Sequence, residues 1–196
     1  LKGIYAITPP KFDEIKLLND INICLDCGVK IFQIRYKEEI TKELKNFFSA
    51  LIKLIKEKDG IAIINDFPHL AHDIGADGVH LGKTDLSVQF VRSAYKNLII
   101  GKTCKSSTEE AKKAINEGAN YVSFGAFSNS LTKKEAIPIE KSDLGLINKF
   151  NASNKAIIGG ISKENFHKVA ELNFDMIALS NAIFNSQDTA KSASFF

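Results

Sequence analysis

The chain has 196 residues, 44% of them apolar, enough to bury one good core, so a single domain spanning residues 1–196 is the expectation. Its 26 basic and 23 acidic residues are spread along the chain for a net charge of +3, which gives neither nucleic acid nor a membrane surface a block to hold. No apolar run approaches a membrane span of about 20 residues, no signal-peptide pattern opens the chain, and three cysteines (Cys24, Cys27, Cys104) make no disulfide framework, so a soluble cytoplasmic protein is expected.

Residues 4–8 (IYAIT) are a short β-rich run closed by Pro9-Pro10, and residues 12–27 follow at helical spacing up to Gly28. Residues 31–37 (IFQIRYK) alternate as a strand, and residues 41–58 form an amphipathic helix with Gly60 as its stop. The stretch 61–85 (IAIINDFPHLAHDIGADGVHLGKTD) then reads as strand 61–65, helix 68–74 and strand 78–81. Further on come a helix at 86–95, a strand at 98–103, a helix at 107–117 opened by Ser107-Thr108-Glu109-Glu110, and a strand at 121–127. A polar, cationic loop at 128–135 leads to a helix near 144–150, a strand at 156–158, a helix at 163–172 and a last strand at 176–179. The tail from Asn181 is weakly patterned.

Strict alternation of strand and helix with about eight strands is the count that closes a parallel barrel. The fold class is therefore α/β, a single compact (β/α)8 TIM barrel, with an open doubly wound sheet as the competing arrangement. Two features favour closure. Several strands (IAII, AII) are apolar on both faces, and a turn before strands recurs as Gly28-Val29, Gly75-Ala76-Asp77, Gly118-Ala119-Asn120 and 172–175.

Asp66 and Asp85 each follow a strand of the same strand–helix–strand unit, so they converge at one rim, where two carboxylates repel unless a proton or cation lies between them. Mg2+ is the natural ion, and it completes its shell with substrate phosphates. Gln33, Arg35 and Lys37 share one face of the second strand by period-two alternation, opposite Phe32, Ile34 and Tyr36. Pointed into a barrel mouth they need an anion; a surface edge strand with ordinary charges is the other reading. Lys133 and Lys134 sit in a loop able to cover a phosphate, or are simply solvated. Gly159-Gly160 and Leu179-Ser180 fall where barrels often bind phosphate. His80 is expected at the mouth beside Asp85; Cys24-x-x-Cys27 reads as helix packing, and His69-x-x-His72 as surface residues. No Ser-His-Asp set stands out.

The motifs QIRYK (33–37), Asn65-Asp66, GADGVHLGKTDL (75–86), SFGAF (123–127), Thr132-Lys133-Lys134, IGGI (158–161) and Leu179-Ser180, in this order, resemble the thiamine phosphate synthase family nearly end to end. That resemblance implies Mg2+-dependent coupling of hydroxymethylpyrimidine diphosphate with a thiazole phosphate, giving thiamine phosphate and pyrophosphate. It implies that Arg35, Lys37, Asn65 and Lys133 hold the diphosphate with Gln33 nearby, and that Asp66 and Asp85 bind the metal. It places Thr103 beside the pyrimidine, and Ser130, Thr132, Gly160, Leu179 and Ser180 around the thiazole phosphate. The partners implied are phosphorylated small molecules, with a homo-oligomer left open. Two departures stand out: Asn129-Ser130 replaces the family's usual Pro-Thr, and Lys105 stands where relatives commonly have His. The similar thiazole tautomerase relies on that His, so Lys105 favours the synthase; a non-catalytic phosphate-ligand sensor is the third reading.

Overall fold

The computed structural model describes residues 1–129, 137–152 and 154–196. Eight strands form a closed barrel in sequence order: β1 (Gly3–Ile7), β2 (Ile31–Ile34), β3 (Ile61–Asn65), β4 (Gly78–Leu81), β5 (Ile99–Lys105), β6 (Tyr121–Gly125), β7 (Lys155–Ile158) and β8 (Met176–Leu179). All neighbours are parallel, and β1 meets β8 with Tyr5 opposite Ala178, which rules out the open sheet. Helices α1 (Glu14–Asp26), α2 (Lys42–Glu57), α3 (Pro68–Asp73), α4 (Val88–Ala94), α5 (Thr108–Asn116), α6 (Lys141–Lys149) and α7 (Phe166–Ala170) fill the crossovers.

Helices α1, α2, α4 and α5 begin where a side chain satisfies a free amide. Asp13 accepts from Lys16 N at 2.8 Å, Thr41 from Leu44 N at 3.2 Å, Ser87 from Phe90 N at 3.2 Å, and Ser107 from Glu110 N at 3.1 Å. Strand alternation sorts the side chains into two shells. Phe32, Ile34, Ile64, Val79, Ile100, Val122 and Ile157 face outward and pack with helix residues such as Phe48, Leu51 and Val91. Tyr5, Ile31, Ile63, Tyr121, Ala156 and Met176 fill the barrel. Gly101 is required by this filling, since a Cβ there would lie 2.0 Å from the Tyr121 ring.

The recurring turn has a physical cause. Asp77, Asn120 and Asp175 precede β4, β6 and β8, and each accepts from an amide at the start of the strand before: Ala62 N at 2.8 Å, Ile100 N at 2.9 Å and Lys155 N at 2.8 Å. The side chain supplies the acceptor that the strand end lacks.

Two expectations need correction. The second strand stops at Ile34, so Arg35 and Lys37 lie on the extended segment beyond it and not on the strand itself. The tail is also structured: α8 (Asn181–Phe184) and α9 (Thr189–Ala193) pack back on the barrel. Thr189 Oγ1 donates to the buried Asp20 at 2.9 Å, an anchor invisible to periodicity because each helix is barely one turn long. Cys24 and Cys104 are buried, and burial pushes both thiols up to about 12, in keeping with a packing role.

Candidate active site

At the carboxyl rim, Asn65 ends β3 and Asp66 follows in the left-handed region at φ 67°, a conformation that Asp tolerates better than most residues. This turn leaves the Asp66 carboxylate half-buried beside the loop after β4. There Asp85 Oδ2 accepts from Gly82 N at 2.6 Å. Both acids close over Gly82: a Cβ at that position would lie 3.0 Å from Asp85 Oδ2 and 3.9 Å from Asp66 Oδ1. The convergence expected from the strand–helix–strand unit is therefore present.

The electrostatics follow from this approach. Asp85 is raised above the usual carboxylate value, by burial first and by the neighbouring Asp66 second. Burial, the largest influence, pushes Asp66 the same way, but the bonded Lys37 ammonium and the hydrogen bond with Asp85 together hold the carboxyl low. The Arg35 guanidinium, half-buried, is lowered by desolvation and partly restored by Asp66. Arg35 forms no ion pair among the described residues. Its backbone is pinned, because Arg35 N donates to the buried Thr8 Oγ1 at 2.9 Å.

Among the described residues, two buried polar atoms at this rim have no hydrogen-bond partner, Asn65 Nδ2 and Ser180 Oγ. Unpaired buried polar atoms are costly, and Asn65 Nδ2 next to Asp66, with Ser180 Oγ at the end of β8, marks two points of the rim open to polar ligand atoms. The donor set fits Mg2+. Among the described residues no cluster of three or more His, Cys, Asp or Glu forms an all-protein cage, while the Asp66–Asp85 pair offers the one or two carboxylates from which Mg2+ is usually held. Both acids also border an open cleft of about 610 Å3, lined as well by the exposed Phe67, Leu86 and Phe90.

Gly160, at φ 66°, lies so close to the chain leaving β6 that a Cβ would sit 2.3 Å from Asn129 O and 2.5 Å from Ser128 O. Only glycine admits that approach. The Leu179 side chain turns outward into the shell under the helices, so this residue can offer a ligand only its backbone. Ser130, Thr132, Lys133 and Lys134 lie outside the described residues.

Beneath the rim the barrel is polar. Gln33 lies inside the barrel, 3% exposed, with Nε2 donating to Tyr5 OH at 2.6 Å. His80 is likewise below the mouth, 8% exposed, between Tyr121 OH at 2.8 Å and Thr103 Oγ1 at 2.9 Å. Burial lowers its pKa to about 4, so the ring is neutral near pH 7. Sequence reasoning missed Tyr5, Thr8 and Tyr121, because a tyrosine or threonine in a strand looks like ordinary sheet packing. Lys102, whose Nζ donates to Gly82 O at 2.5 Å and braces the Asp85 loop, was also missed.

Fold and rim together define a parallel (β/α)8 barrel with two acids and two cations gathered at the carboxyl ends of its strands. The model of the thiamine monophosphate synthase family matches residues 4–183, and the chain belongs to that family. A thiamine-phosphate synthase of Pelagibacter ubique is 37% identical over 188 residues, covering 95% of this chain and 90% of the relative. One from Methylococcus capsulatus is 36% identical over 193 residues, covering 98% and 86%. The solved thiamine phosphate pyrophosphorylase of Pyrococcus furiosus superposes with a TM-score of 0.86 at 28% identity, covering 98% of this chain and 92% of its own. A 3-hexulose-6-phosphate synthase at 15% identity and TM-score 0.74 shares the fold alone.

Proposed function

We propose that this rim couples hydroxymethylpyrimidine diphosphate to hydroxyethylthiazole phosphate, releasing pyrophosphate, with the residue roles that follow. Family membership makes the chain a transferase that forms thiamine phosphate. The observation that carries the residue assignment is the meeting of Asp66, Asp85, Lys37 and Arg35 at the rim where Asn65 Nδ2 and, at the end of β8, Ser180 Oγ have no partner among the described residues.

Arg35, Lys37 and Asn65 bind the diphosphate, with Lys133 added from the loop after β6. Asp66 and Asp85 hold Mg2+, which when bound places positive charge on the diphosphate oxygens. Without substrate, Lys37 neutralises Asp66. With the diphosphate bound, Lys37 would turn from Asp66 to a phosphate oxygen, and Asp66 would be free to hold the ion with Asp85. As the carbon–oxygen bond to the diphosphate breaks, its electron pair leaves with the oxygen, and negative charge grows where Arg35 and Lys37 face it. Their attraction is therefore greater in the transition state than in the ground state. The thiazole nitrogen forms its bond to the resonance-stabilised pyrimidine methylene carbon, so no protein nucleophile is needed. Gly160, the Leu179 backbone and Ser180, with Ser130 and Thr132, cradle the thiazole phosphate, which holds the two substrates in line.

The test supplies both phosphorylated halves with and without Mg2+ and measures thiamine phosphate and pyrophosphate. Mg2+-dependent formation of both in equal amounts is expected. Binding without turnover would replace this reading by a ligand sensor, and isomerised thiazole without coupling would replace it by a tautomerase.

A further inference from the structure

The five groups inside the barrel form one unbranched hydrogen-bond chain. Gln33 Nε2 meets Tyr5 OH at 2.6 Å, Tyr5 OH meets Tyr121 OH at 2.7 Å, Tyr121 OH meets His80 Nδ1 at 2.8 Å, and His80 Nε2 meets Thr103 Oγ1 at 2.9 Å. Both tyrosines are 1% exposed, so no solvent substitutes for a missing partner. Each phenol has a single buried proton that needs an acceptor, and the Gln33 amide nitrogen and a protonated neighbour offer none, so each phenol accepts from one side and donates to the other. A neutral imidazole obeys the same rule, donating from one nitrogen and accepting at the other.

One end then determines the other. The Gln33 amide nitrogen donates to Tyr5; Tyr5 must donate to Tyr121; Tyr121 must donate to His80 Nδ1; His80 therefore carries its proton on Nε2 and donates to Thr103. Thr103 Oγ1 already accepts, and its own proton is free to point toward the mouth, where the residue is partly open. We infer that Tyr5, Tyr121 and His80 are positioning residues that make the Thr103 hydroxyl a one-way hydrogen donor to a lone-pair atom of the bound diphosphate substrate. This rests on the functional reading above only for the identity of that substrate; the direction of the chain does not depend on it.

The chain also explains the aromatic arrangement. A Tyr–Tyr edge contact with ring centroids 5.8 Å apart needs only apolar rings, yet both hydroxyls are retained and matched, and Gly101 leaves the space that Tyr121 occupies. Burying two phenols and an imidazole is tolerable because every proton has an acceptor.

The experiment is two-bond 1H–15N NMR of the full chain with 15N-labelled histidine, which reads the His80 tautomer without any ligand. The wild type should show a neutral His80 with its proton on Nε2, and Tyr121→Phe should give a mixture, since Nδ1 loses its donor. A proton on Nδ1 in the wild type, a mixture in the wild type, or an unchanged spectrum in Tyr121→Phe would each overturn the inference. In turnover, Tyr121→Phe should lower kcat about tenfold with KM little changed, and add nothing further in a Thr103→Val background, as groups acting as a unit do. Additive losses would sink the link to Thr103. Absence of thiamine phosphate from the wild type would count against the proposed function and leave the tautomer result standing.

Discussion

The two rims of this barrel use the same residue type in opposite ways. At the floor, Asp77 and Asp175 each give a carboxylate oxygen to the amide of a neighbouring strand at 2.8 Å, and Asn120 does the same at 2.9 Å. At the mouth, Asp66 and Asp85 face each other over Gly82, and among the described residues only Lys37 and the Gly82 amide bond their carboxylates. Lysines divide in the same way. Lys155 is buried at the floor, its Nζ donating to Ile147 O at 3.2 Å and Phe150 O at 2.7 Å at the end of α6, whereas Lys37 stands exposed beside an acid. Charge at the floor is matched by the chain's own backbone and, at Asp77, also by Lys56 Nζ at 3.3 Å, and it holds the fold. Charge at the mouth is left incompletely matched, the condition under which a ligand is bound.

The comparison breaks most sharply at the acids. Asp66→Ala and Asp85→Ala should each lower Mg2+-dependent turnover by roughly 10²–10³-fold, the scale for losing a fixed electrostatic contact, while urea unfolding stays near wild type. Full turnover in both variants would remove them from the reaction. Next, Gly160→Ala drives a Cβ into Asn129 O and Ser128 O, and the displaced loop should cost up to about 10²-fold in kcat/KM. Steady-state kinetics with varied thiazole phosphate checks this, and wild-type values would show that the loop yields without consequence. At the floor, Asp175→Ala should instead cost about 1–3 kcal/mol of stability, the scale for stranding a buried amide, with kcat per folded molecule unchanged. A loss of kcat with unaltered unfolding would reverse the assignment of the two rims.

The smallest effect separates the two mouth acids by pH. Asp85 is raised in the folded protein, so the fold holds that proton more tightly than the unfolded chain does. Its contribution to stability therefore declines as pH rises from the ordinary carboxylate range through the raised value. Asp66 is lowered, so its contribution is present above the ordinary value and is lost as pH falls toward the depressed one. Asp85→Asn should then slightly raise the urea midpoint of the metal-free protein at neutral pH and abolish any stabilisation by added Mg2+. A lower midpoint, or stabilisation by Mg2+ that survives, would contradict the shared-site reading.

Much of the fold was legible from residue order. β3, β4 and β8 stand at the bounds that apolar runs and turn glycines indicate, and the acids at the first two strand ends meet as that unit requires. The second strand was overextended because IFQIRYK keeps its alternation beyond the last residue that pairs with β3. α8 and α9 escaped because one turn of helix is too short to show a period, and its anchor, Thr189 on Asp20, spans 169 residues of sequence.

By itself the sequence determined that eight strands would alternate with helices and which acids and cations would leave strand ends together, because period, turn chemistry and chain direction are local properties. Only the tertiary structure decided that Gln33 and His80 belong beneath the rim, that Leu179 turns away from it, and that Tyr5 and Tyr121 join them to Thr103. Those pairings link residues between 23 and 116 positions apart. They depend on barrel closure bringing the inner faces of separate strands within hydrogen-bond reach, and no local pattern encodes that distance.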